Sequence, residues 1–322
     1  MTIHPDLARL LDRNRAAGGP ALQDMALTDA RAAMRDMFHA NGYPVRHEAD
    51  VRQLGPAETG APFSATLYRP QQASGTLPAL VYFHGGGFVL GDADTYDIHS
   101  RALAHLLGVT IVFIGYRLAP EHPFPAAVED AGAAMDWLAG AAAALEIDPT
   151  RVAVMGESAG GNLAVNAALH AARGGRLGLC GATLIYPVTD ARPFVEGAST
   201  ARYPSVTRYA TGTNLDDAEM RWFLTNYLPD RADAERPENV LERHPDLALM
   251  PRTRIFTAEC DPLRDIGLSF ATTLIEAGVE VRADCLSGML HSFMCHGGIS
   301  GQALRHFFRI VEAIAEDFPP RG

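Results

Sequence analysis

Short apolar strands alternate with helices along most of this 322-residue chain, and that alternation narrows the possible folds more than any other feature. The strand candidates are Ala65–Tyr68, Ala79–Phe83, Thr110–Gly115, Val152–Met155, Ala182–Tyr186, Arg254–Ala258 and Val279–Cys285. Between or after them, His99–Leu107, Ala126–Ala144, Gly160–Arg173, Arg264–Ala277 and Gly301–Glu316 carry alanine-rich or amphipathic helical patterns. Parallel neighbours need crossovers long enough to hold a helix, so this order predicts an α/β fold, a mainly parallel sheet covered on both faces. Two stretches stand outside the rhythm. Residues 1–45 read as helices over Asp6–Arg15 and Asp24–Ala40, the second stopped by Asn41-Gly42-Tyr43-Pro44. Residues 191–250, with Pro204, Gly212, Trp222, Tyr227 and Pro229, read as an insertion between two core strands.

Composition serves mainly to exclude. With 48% hydrophobic and 20% charged residues the chain is an ordinary globular protein able to bury a full core. Its net charge of −11 argues against a nucleic-acid or anionic-membrane partner, since both need a cationic face. The first residues lack a basic start followed by an apolar run, and no stretch reaches the roughly 18 apolar residues of a membrane span. Cys180, Cys260, Cys285 and Cys295 have no C-x-x-C or metal-ligand spacing. They read as reduced, buried thiols of a cytoplasmic protein.

Three constellations carry chemistry. Gly156-Glu157-Ser158-Ala159-Gly160 follows a strand and opens a helix. A serine on so sharp a strand-to-helix turn needs glycines beside it, because Cβ atoms there have no room. The turn lifts the Ser158 hydroxyl above the strand end and presents the Ala159 amide at a helix N-terminus. The second constellation, Phe83-His84-Gly85-Gly86-Gly87-Phe88, also leaves a strand. Its bare amides can hold an oxyanion, whereas the spacing fits neither G-x-G-x-x-G nor a Gly-Lys-Ser/Thr phosphate loop. His84 precedes the nucleophile and reads as a brace for that loop.

The third constellation supplies an acid and a base. Asp261 follows the strand Arg254–Ala258, and His291 follows the last strand. Both leave the carboxyl edge of the sheet, on the side where Ser158 emerges and where ligands bind in open α/β sheets. Glu259 and Asp265 compete for the acid, but the first lies too close to the strand and the second falls on the next helix. His296 competes for the base from a position beside Gly297-Gly298.

At these motifs the chain resembles the hormone-sensitive-lipase-like family of α/β-hydrolases, microbial esterases carrying H-G-G-G and G-[DE]-S-A-G. The resemblance runs from about Leu77 to Phe293 and includes Tyr116-Arg117-Leu118-Ala119-Pro120-Glu121-His122-Pro123-Phe124-Pro125 and Asp261-Pro262-Leu263-Arg264-Asp265. It implies an α/β-hydrolase fold, a mostly parallel sheet flanked by helices with a helical cap. Residues 1–45 and 191–250 would build that cap on a core of residues 46–322. It also implies a triad of Ser158, Asp261 and His291, in the chain order typical of this fold. The oxyanion hole would come from the amides of Gly86, Gly87 and Ala159, with the share of Gly85 left open. One departure stands out: the family usually places glycine after the histidine, and here Ser292 follows His291.

The expected activity is that of a serine carboxylesterase on short- to medium-chain acyl esters, needing no metal or organic cofactor. The rivals are amide hydrolysis or acyl transfer on the same triad, and a non-catalytic small-molecule receptor, which would be expected to lack a triad member. The expected partner is a small-molecule ester, with no nucleic acid and no membrane span; a homo-oligomer stays open. Arg117, Glu121 and His122 read as a structural ion network under the pocket. Tyr203, Tyr209, Trp222 and Phe223 suit either a pocket wall or cap–core packing.

Overall fold

Strands rich in Val, Ile, Phe and Tyr suit a pleated, buried surface, and among the described residues eight of them pair into one sheet. The structure is a computed structural model that describes residues 2–195 and 199–319. Residue 1 of the expected N-terminal cap segment, 196–198 of the insertion and 320–322 of the core lie outside the described residues. In chain order the strands are β1 (Ala49–Leu54), β2 (Ser64–Pro70), β3 (Leu77–Phe83), β4 (Thr110–Gly115), β5 (Ile147–Glu157), β6 (Leu179–Ile185), β7 (Thr253–Cys260) and β8 (Val281–Leu290). Their order across the sheet is β1-β2-β4-β3-β5-β6-β7-β8. β2 runs antiparallel to β1 and β4, and all other pairings are parallel.

The helices are α1 (Pro5–Ala17), α2 (Leu27–Asn41), α3 (Pro56–Thr59), α4 (Asp97–Leu107), α5 (Ala126–Ala141), α6 (Ala159–Gly174), α7 (Pro204–Arg208), α8 (Asp217–Tyr227), α9 (Arg264–Glu276) and α10 (Gly301–Ala315). Side chains alternate along a strand, so each central strand feeds two cores. Val81, Phe83, Val112, Ile114 and Val154 pack with α5, α6 and α9 on one face. Leu80, Tyr82, Ile111, Phe113 and Met155 pack with α4 and α10 on the other.

The edge strand β1 escapes the sequence pattern because Asp50, Val51, Arg52 and Gln53 are all exposed. It forms through backbone pairing with β2, and its charges suit a solvated edge.

The two stretches outside the rhythm are fastened to the core by polar contacts. From α2, the Arg31 guanidinium donates to the carbonyls of Val89 (3.0 Å) and Ala119 (3.3 Å) and pairs with Glu121 at 2.8 Å. His4, just ahead of α1, donates its amide to Gly288 in β8 at 2.9 Å. From the insertion, the Ser205 hydroxyl donates to the Pro262 carbonyl at 2.8 Å, beside the loop that leaves β7. No helix among the described residues is long and apolar enough to cross a membrane.

Candidate active site

The turn between β5 and α6 is as tight as its glycines imply. A Cβ on Gly156 would sit 2.0 Å from the Gly160 carbonyl oxygen, and one on Gly160 would sit 2.0 Å from that of Phe83. The first contact would force the end of β5 away from the start of α6, and the second would drive the elbow away from β3. Ser158 itself takes φ 53° and ψ −121°, a strained setting for a residue with a Cβ. Its amide donates to Ile185 at the end of β6, at 2.9 Å, and its carbonyl accepts from Gly161 and Val188 at 3.0 Å each. The end of β6, the loop after it and the first turn of α6 thereby hold the strained turn.

The structure brings Ser158, His291 and Asp261 together at the carboxyl edge of the sheet. Ser158 Oγ lies 3.0 Å from His291 Nε2, and His291 Nδ1 lies 2.7 Å from Asp261 Oδ2. Asp261 is fully buried, and its other oxygen accepts the Leu263 amide at 2.8 Å. Both competing acids are engaged elsewhere: Glu259 accepts the Gly288 amide at 2.8 Å, and Asp265 accepts the Ser205 amide at 2.7 Å. His296 is buried in a short turn after β8, and burial lowers its pKa to about 4, leaving it neutral.

The glycine loop follows β3 and faces the elbow. Among the described residues, the amides of Gly86, Gly87 and Ala159 donate to no protein acceptor, which leaves them open to a ligand oxygen. Gly87 has φ +61°, and a Cβ there would lie 2.1 Å from the ring of Phe223 in α8. Gly85 stands closest to the elbow, a Cβ on it falling 3.2 Å from the Glu157 carbonyl oxygen. Beneath the loop, His84 stacks on Tyr116 with ring centroids 4.2 Å apart, and its Nδ1 lies 2.7 Å from the Gly85 carbonyl. Burial lowers its pKa to about 4, so it holds the loop as a neutral ring.

A cavity of about 540 Å³ opens above Ser158 and His291. Leu10, Met25 and Met34 from the N-terminal stretch and Leu215, Met220 and Phe223 from the insertion form its apolar walls. Of the four aromatics considered for the wall, Phe223 alone lines it. Trp222 packs against the Phe223 ring at 5.1 Å, Tyr203 donates to Asp190 at 2.9 Å, and Tyr209 lies by the Arg264 guanidinium. The expected network of Arg117, Glu121 and His122 is not formed as such. Arg117 pairs with buried Asp130 at 2.8 Å, while Glu121 turns to Arg31 of α2. The cysteines also differ from expectation: all four are free, but Cys285 is exposed and Cys180 partly so.

Three side chains at the site make contacts that the motifs alone do not assign. Asn214 of the insertion donates to the His291 carbonyl at 2.8 Å. Glu219, in the first turn of α8, faces the cavity, and burial raises its carboxyl to about pKa 7. Glu157, beside Ser158, is buried among tyrosines. Strand alternation alone could have flagged Glu157, since it shares a sheet face with Met155 and Tyr82.

The sequence profile of a family described as alpha/beta hydrolase fold matches residues 80–295. The ethyl acetate hydrolase of Pseudomonas putida is 36% identical over 332 residues, covering 98% of this chain and 99% of that protein. The carboxylesterase NlhH of Mycobacterium tuberculosis is 39% identical over 231 residues, covering 71% of this chain and 70% of its own length. A thermostable esterase from Pseudomonas putida, known by crystal structure, superposes with a TM-score of 0.89 at 28% identity, covering 99% of each chain.

Proposed function

The chain belongs to the α/β-hydrolase family, in its hormone-sensitive-lipase-like branch, and is a carboxylic-ester hydrolase; from that premise we propose that it works through an acyl-enzyme on Ser158. The observation that carries this reading is the relay from Ser158 Oγ to His291 at 3.0 Å and on to Asp261 at 2.7 Å, set at the floor of the cavity.

His291 Nε2 takes the Ser158 proton as Oγ bonds to the ester carbonyl carbon. Asp261 keeps the remaining ring proton on Nδ1 and stabilises the imidazolium. The carbonyl oxygen, now negative, is held by amides of the glycine loop and Ala159; one such donor is worth on the order of 10²–10³ in rate. The C–O bond to the alcohol then breaks, and the departing oxygen takes its proton from His291. Water, deprotonated by the same nitrogen, attacks the acyl carbon and releases the acid with Ser158 restored.

Residues 1–45 and 191–250 act as the cap in this reading, supported by their joint lining of the cavity. Its apolar walls and modest volume favour short- to medium-chain acyl esters. The four free thiols suit a reducing compartment, which supports a cytoplasmic location. Ser158→Ala tests the mechanism: p-nitrophenyl ester turnover and labelling by a fluorophosphonate should both vanish. A folded Ser158→Ala protein that kept most of its turnover would overturn it.

A further inference from the structure

A carboxyl group is seldom fully buried without a cationic partner, yet Glu157 is, directly before the nucleophile. Its partners are phenols. Tyr82 in β3 donates to Oε1 at 2.9 Å, Tyr186 just after β6 donates to Oε2, and Tyr96 just before α4 adds a third hydroxyl. The Tyr186 ring in turn packs against the His291 ring, with centroids 4.6 Å apart. A cage of hydroxyl donors thus holds an acidic group, and one of its rings packs on the proposed base.

We propose that Glu157 is a positioning residue for the esterase reaction, a caged negative charge that favours the imidazolium of His291 while Ser158 attacks. The proposal rests on the triad reading given above. Its physical basis is reciprocal coupling: a proton gained by His291 favours loss of one by Glu157, and the converse. Burial pushes the Glu157 carboxyl upward, while the hydroxyls of Tyr186, Tyr82 and Tyr96 and the nearby His291 pull it down. The remaining titratable neighbours are Tyr116 after β4 and Cys295 after β8. Burial raises every one of these phenols and the thiol well above its ordinary range, so they stay neutral. His291 itself is faced by two further acids, Asp261 after β7 and Glu219 of α8. Glu157 therefore adds a third acidic group to the surroundings of His291.

The test is Glu157→Gln, which keeps the shape and removes the charge, assayed on p-nitrophenyl acetate across pH with its fold checked by circular dichroism. The acid limb of kcat/KM should move down by about half a unit to one unit, less than a contacting charge would cause. At the plateau, kcat should fall about tenfold with KM within twofold, since the charge acts only as imidazolium forms. Glu157→Asp should return the limb toward wild type. A folded Glu157→Gln protein with an unmoved acid limb would overturn the proposal, as would a change confined to KM, which would mark Glu157 as a cavity wall. If Glu157→Gln fails to fold, Tyr186→Phe removes one cage donor while keeping the ring on His291. A smaller shift in the same direction supports the proposal and no shift overturns it. Failure of the triad reading would look different, as turnover surviving Ser158→Ala.

Discussion

Replacing Asp261 with asparagine tests how His291, the proposed base, is held, because the two oxygens of this buried carboxylate have different duties. Oδ1 accepts the Leu263 amide at 2.8 Å, and Oδ2 faces His291 Nδ1 at 2.7 Å. Asparagine has one acceptor for these two donors. Turning its NH2 toward Leu263 would set two donors against each other in a fully buried site and leave that amide unsatisfied, at a cost of about 1–3 kcal/mol. The oxygen therefore stays on Leu263 and the NH2 faces His291. Nδ1 must then accept, the ring proton moves to Nε2, and Nε2 points a hydrogen at Ser158 Oγ where it should take one. A triad locked in that tautomer loses about 10⁴ in kcat, or about 5.4 kcal/mol at 1.36 kcal/mol per tenfold. Initial rates on p-nitrophenyl acetate, with thermal melting to confirm the fold, measure it. A folded Asp261→Asn enzyme with more than about a tenth of wild-type kcat would refute the reasoning, since ordinary hydrogen-bond losses of about 1 kcal/mol cannot be confused with it.

Two further outcomes follow from the loop and the cap. Ser292 takes φ +55°, in the left-handed region, with no capping bond from its side chain. Ser292→Gly should therefore gain stability, the relief of about 1–2 kcal/mol being partly offset by about 0.5–1 kcal/mol of glycine entropy. A urea midpoint that fell on this change would show that the hydroxyl holds the loop. Glu219, raised to about pKa 7 by burial and next by the charge of Asp216, bears on stability with a definite sign. Its folded pKa lies above its unfolded value, so ionisation costs stability as pH rises from about 4.5 through 7. Glu219→Gln should raise the melting temperature at pH 8 and leave it nearly unchanged at pH 4.5; equal shifts at both would refute the burial argument.

What the sequence revealed followed from where the local pattern and the global environment agree. Buried parallel strands are apolar throughout, so β3, β4, β5, β6 and β7 announce themselves, and the elbow needs its glycines wherever it occurs. The order of Ser158, Asp261 and His291 then places all three at one sheet edge. Exposure hid β1, whose charged residues leave no apolar face to detect. Partner choice was equally hidden: nothing local tells Arg117 to pair with Asp130, or Glu121 to reach back to Arg31. The insertion aromatics could not be sorted for the same reason. Whether Phe223 or Trp222 meets the cavity depends on the rotation of α8, which is set by long-range packing against Gly87. Glu157 lies between these cases, since its position was readable while its three phenols come from distant strand and helix ends.

Much of the cavity wall comes from stretches of chain separate from those that carry Ser158, Asp261 and His291. Ser158, Asp261 and His291 sit on strand ends locked into the sheet, whereas Leu10, Met25, Met34, Met220 and Phe223 belong to α1, α2, α8 and their flanking turns. Descent with modification can therefore work on the two at different tempos. A methionine exchanged in α2 reshapes the space offered to an ester without moving an atom of β5 or β8, and it risks little stability, since volume-conserving apolar swaps typically cost under about 1.5 kcal/mol. Phe223 is the exception, because its ring rests on Gly87. A lineage that replaced it would alter the glycine loop, the proposed oxyanion hole, and the pocket in one step, making it the position where substrate range and rate are inherited together.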